Sequence, residues 1–369
     1  MWVTLWHIWG FAGRPTYEYQ LLGLHLDFTP LIRSGWAGVD MFFVLSGFVL
    51  GLPFCQVYQG QRSPIRIPEY FRRRLLRVLP AYYIQLIILA SLIAVTGGIA
   101  ALDTGALIAQ FLMLQNVLSD PGSQLNPVYW TLPIEFNFYI LLPLLALWVP
   151  PQRWPVLLVA SVFIVVLYRY LVFWNFLTDS TVQQRVWVLN QLPGRLDQFV
   201  AGMVAAWWYL RIRTDEPDSG GITRYKSLLL ILALIAMGAM TWFIHNLQPM
   251  HTDNILGQTF WAGHWSLYIW HTLFGIFLAL MIFVIALGNR IATVLLSNKP
   301  VMYLGIISYS IYLWHFPVVK WITRASLPSL TPGYPYLNLL LWTMVPILLV
   351  SSLSFWLVEK PFLKLRHRI

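Results

Sequence analysis

Residues 35 to 51 read Gly35-Trp-Ala-Gly-Val-Asp40-Met-Phe-Phe-Val-Leu-Ser46-Gly47-Phe-Val-Leu-Gly51. The stretch is apolar enough to enter a bilayer, yet it carries a carboxylate near its start and a hydroxyl at its middle. Gly47 and Gly51 form a G-x-x-x-G pair, the spacing that lets a neighbouring helix approach closely. An ordinary packed transmembrane helix accounts for all of this. The fold therefore turns on whether the rest of the chain repeats the pattern.

It does. Of the 369 residues 58% are hydrophobic and 10% charged, with a mean hydropathy of +0.65. A soluble domain carries about 25% charged residues, so the composition describes a polytopic membrane protein. The net charge of +10 could suit nucleic acid, but the basic residues border apolar runs, and membrane topology explains them better. The single Cys55 excludes an internal disulfide and a multi-cysteine metal site. A small buried apolar residue is its simplest role. The start lacks the basic n-region and small-residue cleavage site of a secretory signal.

A span needs about 20 apolar residues at about 1.5 Å each. Met1 to Ala12 is too short for that before Gly13-Arg14-Pro15, so the first helix is either half a span or one truncated at its N-terminus, and truncation is the expectation. The second span is Ala37 to Tyr58. A basic amphipathic turn from Tyr70 to Pro80 then leads into the uncharged run Val78 to Leu102. Thr104 to Ser119 is placed as an interfacial or re-entrant helix, with an eleventh span as the other reading. Further spans fit Tyr129–Val149, Trp154–Trp174, Leu196–Leu210, Ser227–Ile244, Phe260–Leu287, Val301–Ile322 and Tyr336–Val358. The expectation is an all-α bundle of about ten spans forming one domain over residues 1–369.

Orientation follows the basic residues. With Arg62 to Arg77 inside, strict alternation leaves Arg14, Arg33, Arg169, Arg185, Arg195, Lys320 and Arg324 outside. The remaining Lys and Arg, Arg366 and Arg368 among them, fall inside, which puts the C-terminus and the polar loop from Arg211 to Lys226 in the cytoplasm. One internal echo stands out: Ser266-Leu-Tyr-Ile-Trp-His271 against Ser310-Ile-Tyr-Leu-Trp-His315. It fits a duplicated helix, a pair of related sites, or chance in so aromatic a chain.

Ionisable residues at span depth cost about 2.5–3.5 kcal/mol each on insertion scales for Asp, Lys or Arg. They are the places to seek chemistry. His7 lies in the first helix, Asp40 near the start of the second, Glu135 at span depth, and Arg195 and His315 in later segments. Each has a structural reading beside the functional one: a satisfied core histidine, an ion pair such as Glu135 with Arg195, a helix-packing hydrogen bond at His315. Arg72, Arg73, Arg74 and Arg77 form a basic run that a cytoplasmic loop alone would explain.

Taken together, several segments resemble the bacterial acyltransferase-3 family, integral membrane enzymes that acylate cell-surface glycans. The stretch Gly38-Val-Asp40-Met-Phe-Phe-Val-Leu-Ser46-Gly-Phe looks like the family's hallmark segment. Trp2-Val-Thr-Leu-Trp-His7 resembles the end of a first-helix motif in which an arginine precedes the histidine by ten intervening residues. Arg73-Arg74-Leu-Leu-Arg77-Val-Leu-Pro80 resembles its R-x-x-R segment. Trp130-Thr131-Leu-Pro-Ile-Glu135-Phe-Asn-Phe-Tyr139-Ile-Leu-Leu-Pro143 is similar to W-S-L-x-x-E-x-x-F-Y-x-x-x-P, with Thr131 for serine. Arg195 to Met203, Ser308 to Pro317 and Glu359-Lys-Pro361 resemble three further segments in order along the chain.

The resemblance implies an O-acyltransferase of the bacterial plasma membrane. Its expected reaction moves an acyl group, acetyl first, from cytosolic acyl-CoA to a glycan hydroxyl. No cofactor would be permanently bound; acyl-CoA would be a co-substrate. Membrane lipids and a glycan or glycolipid are the expected partners, and nucleic acid is not. His7 suits a general base, because imidazole titrates near neutrality and can return the proton to the leaving thiol. Glu135 would orient a catalytic histidine or bind acceptor hydroxyls. Arg73, Arg74 and Arg77 suit the phosphates of coenzyme A, which guanidinium forks bind bidentately. Asp40, Ser46, Tyr129, Trp130, Arg195 and His315 are the expected substrate-lining residues. The glycines of the opening stretch would let the helices on either side of it in sequence approach. A transporter or flippase of a lipid-linked glycan is the competing class, since sparse polar groups in many spans fit it as well. A metal enzyme fits less, because no two histidines stand at i, i+3 or i, i+4.

Overall fold

The structure is a computed structural model that describes residues 1–21, 23–119, 123–176, 190–215, 220–247, 266–325 and 327–365. Arg185, Arg366, Arg368, positions 216–219 of the polar loop and the first residues of the span expected from Phe260 lie outside the described residues.

Helices account for nearly all of the architecture. In chain order they are α1 (Trp2–Phe11), α2 (Thr29–Arg33), α3 (Gly38–Tyr58), α4 (Ile67–Gly97), α5 (Thr104–Phe111), α6 (Gln115–Leu118), α7 (Thr131–Trp148), α8 (Trp154–Phe176) and α9 (Leu196–Asp215). Then come α10 (Gly220–Leu247), α11 (Leu267–Ala286), α12 (Arg290–Leu296), α13 (Lys299–Ile306), α14 (Ser308–Arg324), α15 (Pro335–Ser354) and α16 (Lys360–Leu365). Between α1 and α2 the chain forms an antiparallel hairpin, β1 (Glu18–Leu21) with β2 (Leu24–Asp27). The sequence reading passed over it, although Gly23, at φ +79°, supplies its tight turn.

Among the described residues, seven helices are long and apolar enough to cross a membrane, or eight if α13 and α14, bent by 75° about their break, make one span. The protein is a polytopic, mostly helical membrane protein, and the expected count of ten is not reproduced. The two shortfalls are α1 and α9. Ten residues make α1 about 15 Å long. Helix α9 has 20 residues but carries Asp197, Arg211, Arg213 and Asp215. Thr104 to Ser119 is two short helices, broken where Met113 takes φ 58°.

Helix α4 corrects the reading of Tyr70 to Pro80 as a turn. Its 31 residues make about 46 Å of rod, against about 30 Å of hydrocarbon. The basic segment is thus the first third of one continuous helix, and the apolar part that follows is long enough to span by itself.

The chain sorts into two compact units. The first comprises Met1–Trp36, Pro68–Pro133 and Tyr303–Ile369. There α1 packs on α14 and α15 through Ile8, which is buried with Ile307, Ile311, Val318, Val319 and Ile347. Gly35 presses the turn after α2 against α1: a Cβ there would stand 2.6 Å from the Trp6 Cβ and 2.8 Å from the Trp2 carbonyl oxygen. Both contacts clamp the helix that carries His7.

The second unit comprises Ala37–Ile67 and Ile134–Met302. Its centre is α3 against α9. A Cβ on Gly47 would overlap the backbone oxygen of Phe199, and one on Gly202 would overlap that of Val44. The two backbones touch reciprocally, which only glycine allows. Gly51 meets Met203 and Trp154. The Phe199 ring is wedged between Phe43, centroids 5.0 Å apart, and Phe138, stacked at 4.1 Å. Gly47 and Gly51 therefore serve α9, which corrects the expectation for that pair, whereas Gly35 at the start of the same stretch does admit α1, the helix before it in sequence.

Candidate active site

In the first unit, α1 and α14 bring His7 and His315 together. His315 Nε2 lies 3.0 Å from His7 Nδ1, with ring centroids 5.0 Å apart. Each ring also addresses the carbonyl one turn back in its own helix: His7 Nδ1 is 3.1 Å from Val3 O and His315 Nδ1 is 2.9 Å from Ile311 O. His315 has no exposed surface, whereas His7 is half-buried. Trp6 and Phe316 form the apolar wall around His7, with centroids 4.6 and 5.1 Å away.

The turn of α14 around His315 is held from outside the helix. Pro317 has no N–H to give the Leu313 carbonyl. That oxygen instead receives the side-chain amides of Gln85 at 2.7 Å and Asn126 at 2.8 Å. Gln85 in turn accepts the Tyr129 hydroxyl at 2.9 Å. Tyr312 donates to Val128 O at 2.6 Å and shares a 2.7 Å bond with Thr131. Tyr129 is fully buried in this network, and the Trp130 backbone oxygen accepts from Asn116 at 2.7 Å. Ser310 donates to buried Glu359.

The same unit holds the arginine run, on the basic third of α4. Arg73 is paired with Glu69 one turn before it. Arg74 lies over the Tyr70 ring, 5.8 Å from its centroid. Arg77 is exposed.

In the second unit, Asp40 of α3 joins two partners. Its Oδ1 is 3.1 Å from Arg195 Nη1, and its Oδ2 is 2.7 Å from His271 Nδ1. Arg195 also donates to Asn190. Beside this pair, Arg169 of α8 donates to Gly194 O, to Tyr268 O at 2.8 Å and to Thr272 Oγ1 at 3.1 Å. Its Nη2 is 3.8 Å from Asp197 Oδ2, which Thr272 also bonds. All five ionisable groups are buried. Two carboxylates balance two guanidinium groups, so the network is neutral when His271 is neutral. Burying such charges is tolerable only when they are paired and hydrogen-bonded. The network ties α3, α8, α9 and α11 together.

Glu135 takes a different place from the one expected of an Arg195 partner. Its Oε1 accepts Ser46 Oγ at 2.8 Å and the Tyr139 hydroxyl at 2.7 Å, and the carboxylate that holds Arg195 is Asp40. Cys55 is buried, as a small apolar residue would be. Among the described residues, no group of three or more His, Cys, Asp or Glu could hold a metal ion.

Sequence reasoning missed Arg169, Asp197, His271 and Gln85. Arg169 had a signal: an arginine inside a span is costly and needs a partner, yet it was counted among loop charges. Arg33 and Arg195 are buried too, so three of the seven outside bases report packing and not topology. His271 was visible only through its echo with His315. The two histidines have different partners, a carboxylate for His271 and a second imidazole for His315.

A family model described as an acyltransferase domain matches residues 1–358. The chain is 26% identical over 349 residues to the O-acetyltransferase OatA of Staphylococcus aureus (strain NCTC 8325 / PS 47), covering 90% of this chain and 53% of that protein. It is 25% identical over 369 residues to the peptidoglycan O-acetyltransferase OatA of Listeria monocytogenes serovar 1/2a, covering 93% and 54%. The chain spans about half the length of these curated relatives. No solved structure matches it.

Proposed function

Since the chain belongs to the acyltransferase-3 family, we propose that it is a membrane O-acyltransferase. It moves an acyl group, acetyl first among the candidates, from cytosolic acyl-CoA to a hydroxyl of a cell-envelope glycan. The names of the relatives support acetyl and make peptidoglycan the leading acceptor. The setting is the bacterial plasma membrane, with the basic end of α4 and the C-terminus on the cytoplasmic side, as the basic residues favour.

The observation that carries this reading is the half-buried imidazole of His7, held in a clamped helix against a second imidazole. A sugar hydroxyl attacks a thioester poorly until its proton is removed. His7 takes that proton as the hydroxyl oxygen bonds to the carbonyl carbon. When the C–S bond breaks, the proton passes to the departing sulfur and leaves His7 neutral for the next cycle. Such a base is typically worth 10²–10⁴ in rate.

The donor would be held by the arginine run. Exposed Arg77 and the half-buried Arg73 and Arg74 lie along one end of α4, where guanidinium groups suit the pyrophosphate and ribose phosphate of coenzyme A. Glu135, already accepting two hydroxyls, supports a role in binding hydroxyls of the acceptor, with Ser46 beside it. The Asp40, Arg195 and His271 group is assigned to holding the helices together.

The test is mass spectrometry of envelope glycans from cells with the gene, without it, and with His7→Ala. Acyl groups on the glycan that vanish in both altered strains are the expected result. An unchanged glycan in the gene deletion would refute acyl transfer and favour transport of a lipid-linked glycan.

A further inference from the structure

We propose that His315 is a positioning residue that fixes which nitrogen of His7 carries the proton, leaving His7 Nε2 as the basic atom. The proposal rests on the reading of His7 as the general base and deepens it.

The argument is one of donors and acceptors. A carbonyl oxygen can only accept, so the 2.9 Å approach of His315 Nδ1 to Ile311 O requires the proton on that nitrogen. A neutral imidazole has one N–H, so His315 Nε2 is then an acceptor. That acceptor lies 3.0 Å from His7 Nδ1. The other neighbour of His7 Nδ1 is the Val3 carbonyl at 3.1 Å, again an acceptor. Either can accept only if His7 Nδ1 carries the proton, which the two then share in a three-centre bond, and this leaves the Nε2 lone pair available. The opposite arrangement would set two lone pairs against each other at Val3. It would also need both nitrogens of His315 protonated, which buries a cation where His315 has no exposed surface.

The device needs a rigid support, and α14 has one. His315 lies between Leu313, whose carbonyl is held by Gln85 and Asn126, and Pro317, which frees that carbonyl. Ile8, beside His7, is buried against Ile311, whose backbone oxygen sets the His315 tautomer. The same packing thus fixes the two rings relative to each other.

The experiment compares His315→Gln with His315→Met in the full-length protein. Membranes carrying their own wall glycan are supplied with acetyl-CoA, and kcat and KM are read from O-acetyl formed. Glutamine can place its amide oxygen where Nε2 stands; methionine has similar length and no such oxygen. The expected result is kcat within about threefold of wild type for His315→Gln and at least 10²-fold lower for His315→Met, the lower bound for losing a general base, with KM for acetyl-CoA unchanged in both. His315→Leu, which has no acceptor, should match His315→Met, and it carries the comparison if the methionine variant does not fold. Equal rates in the glutamine variant and in a folded methionine or leucine variant would overturn the proposal. His7→Ala is measured beside them. Transfer surviving there removes the base reading itself, whereas transfer lost there but kept in His315→Met overturns only the role given to His315.

Discussion

The backbone oxygen of Phe199 occupies the space where Gly47 would carry a side chain. Because Gly202 meets Val44 in the same way from the other helix, neither α3 nor α9 can yield without moving the other. Gly47→Ala and Gly202→Ala should each destabilise the fold by about 1–3 kcal/mol, the range for overpacking. Gly238→Ala, where nothing lies within 4 Å of the new carbon, should be neutral or slightly stabilising, as alanine is in a helix interior. Thermal unfolding in detergent checks all three; equal behaviour of Gly47→Ala and Gly238→Ala would contradict the close approach.

The buried network predicts strong coupling. Asp40→Asn removes the charge facing both Arg195 and His271. Breaking one partner of a buried pair costs about 3–5 kcal/mol, so the yield of folded protein should drop sharply. Arg195→Gln in the same chain should restore part of the loss, since residues in one network do not add. A double-mutant cycle on unfolding temperatures reads this, and strict additivity would argue against a direct pair.

The Leu313 carbonyl offers a suppressor test. Gln85→Leu strips a donor from a buried acceptor and leaves the Tyr129 hydroxyl without its partner, a loss of about 1–3 kcal/mol. Pro317→Ala supplies an N–H at the position that normally bonds Leu313 O in a helix. The double variant should therefore recover stability relative to Gln85→Leu. No recovery would mean that the proline is not what frees this carbonyl.

Donor binding should be sensitive to Arg77 before Arg73. Arg77 is exposed, while Arg73 is engaged by Glu69. A hydrogen bond to a charged group contributes about 1.5–3 kcal/mol, so Arg77→Ala should raise KM for acetyl-CoA by roughly 10–100-fold. Glu69→Gln should lower KM by releasing Arg73. Both effects should shrink at high salt, as exposed charges are screened. An unchanged KM in Arg77→Ala would return the cluster to a purely topological role.

Local features carried most of what could be read before folding. The hydropathy of α3, α7, α8, α10, α11 and α15 follows from side-chain preference for a bilayer over about 20 residues, and each was placed within a few residues at one or both ends. Motif order along the chain was enough to suggest the family, and that resemblance is what raised His7 above the structural reading of a lone histidine on an apolar helix. What remained hidden is non-local. His7 and His315 are 308 positions apart, and Asp40 and Arg195 are 155 apart; no periodicity connects them. The G-x-x-x-G pair announced a close contact but not with which helix. Arg169 looked like a loop charge until packing sealed it beside Asp197. Sequence alone determined which segments are apolar enough for a membrane, because each residue's transfer energy is its own property. Only the tertiary structure decided which polar groups meet there, because once water is excluded a donor that its own helix leaves unpaired must find its acceptor elsewhere in the fold.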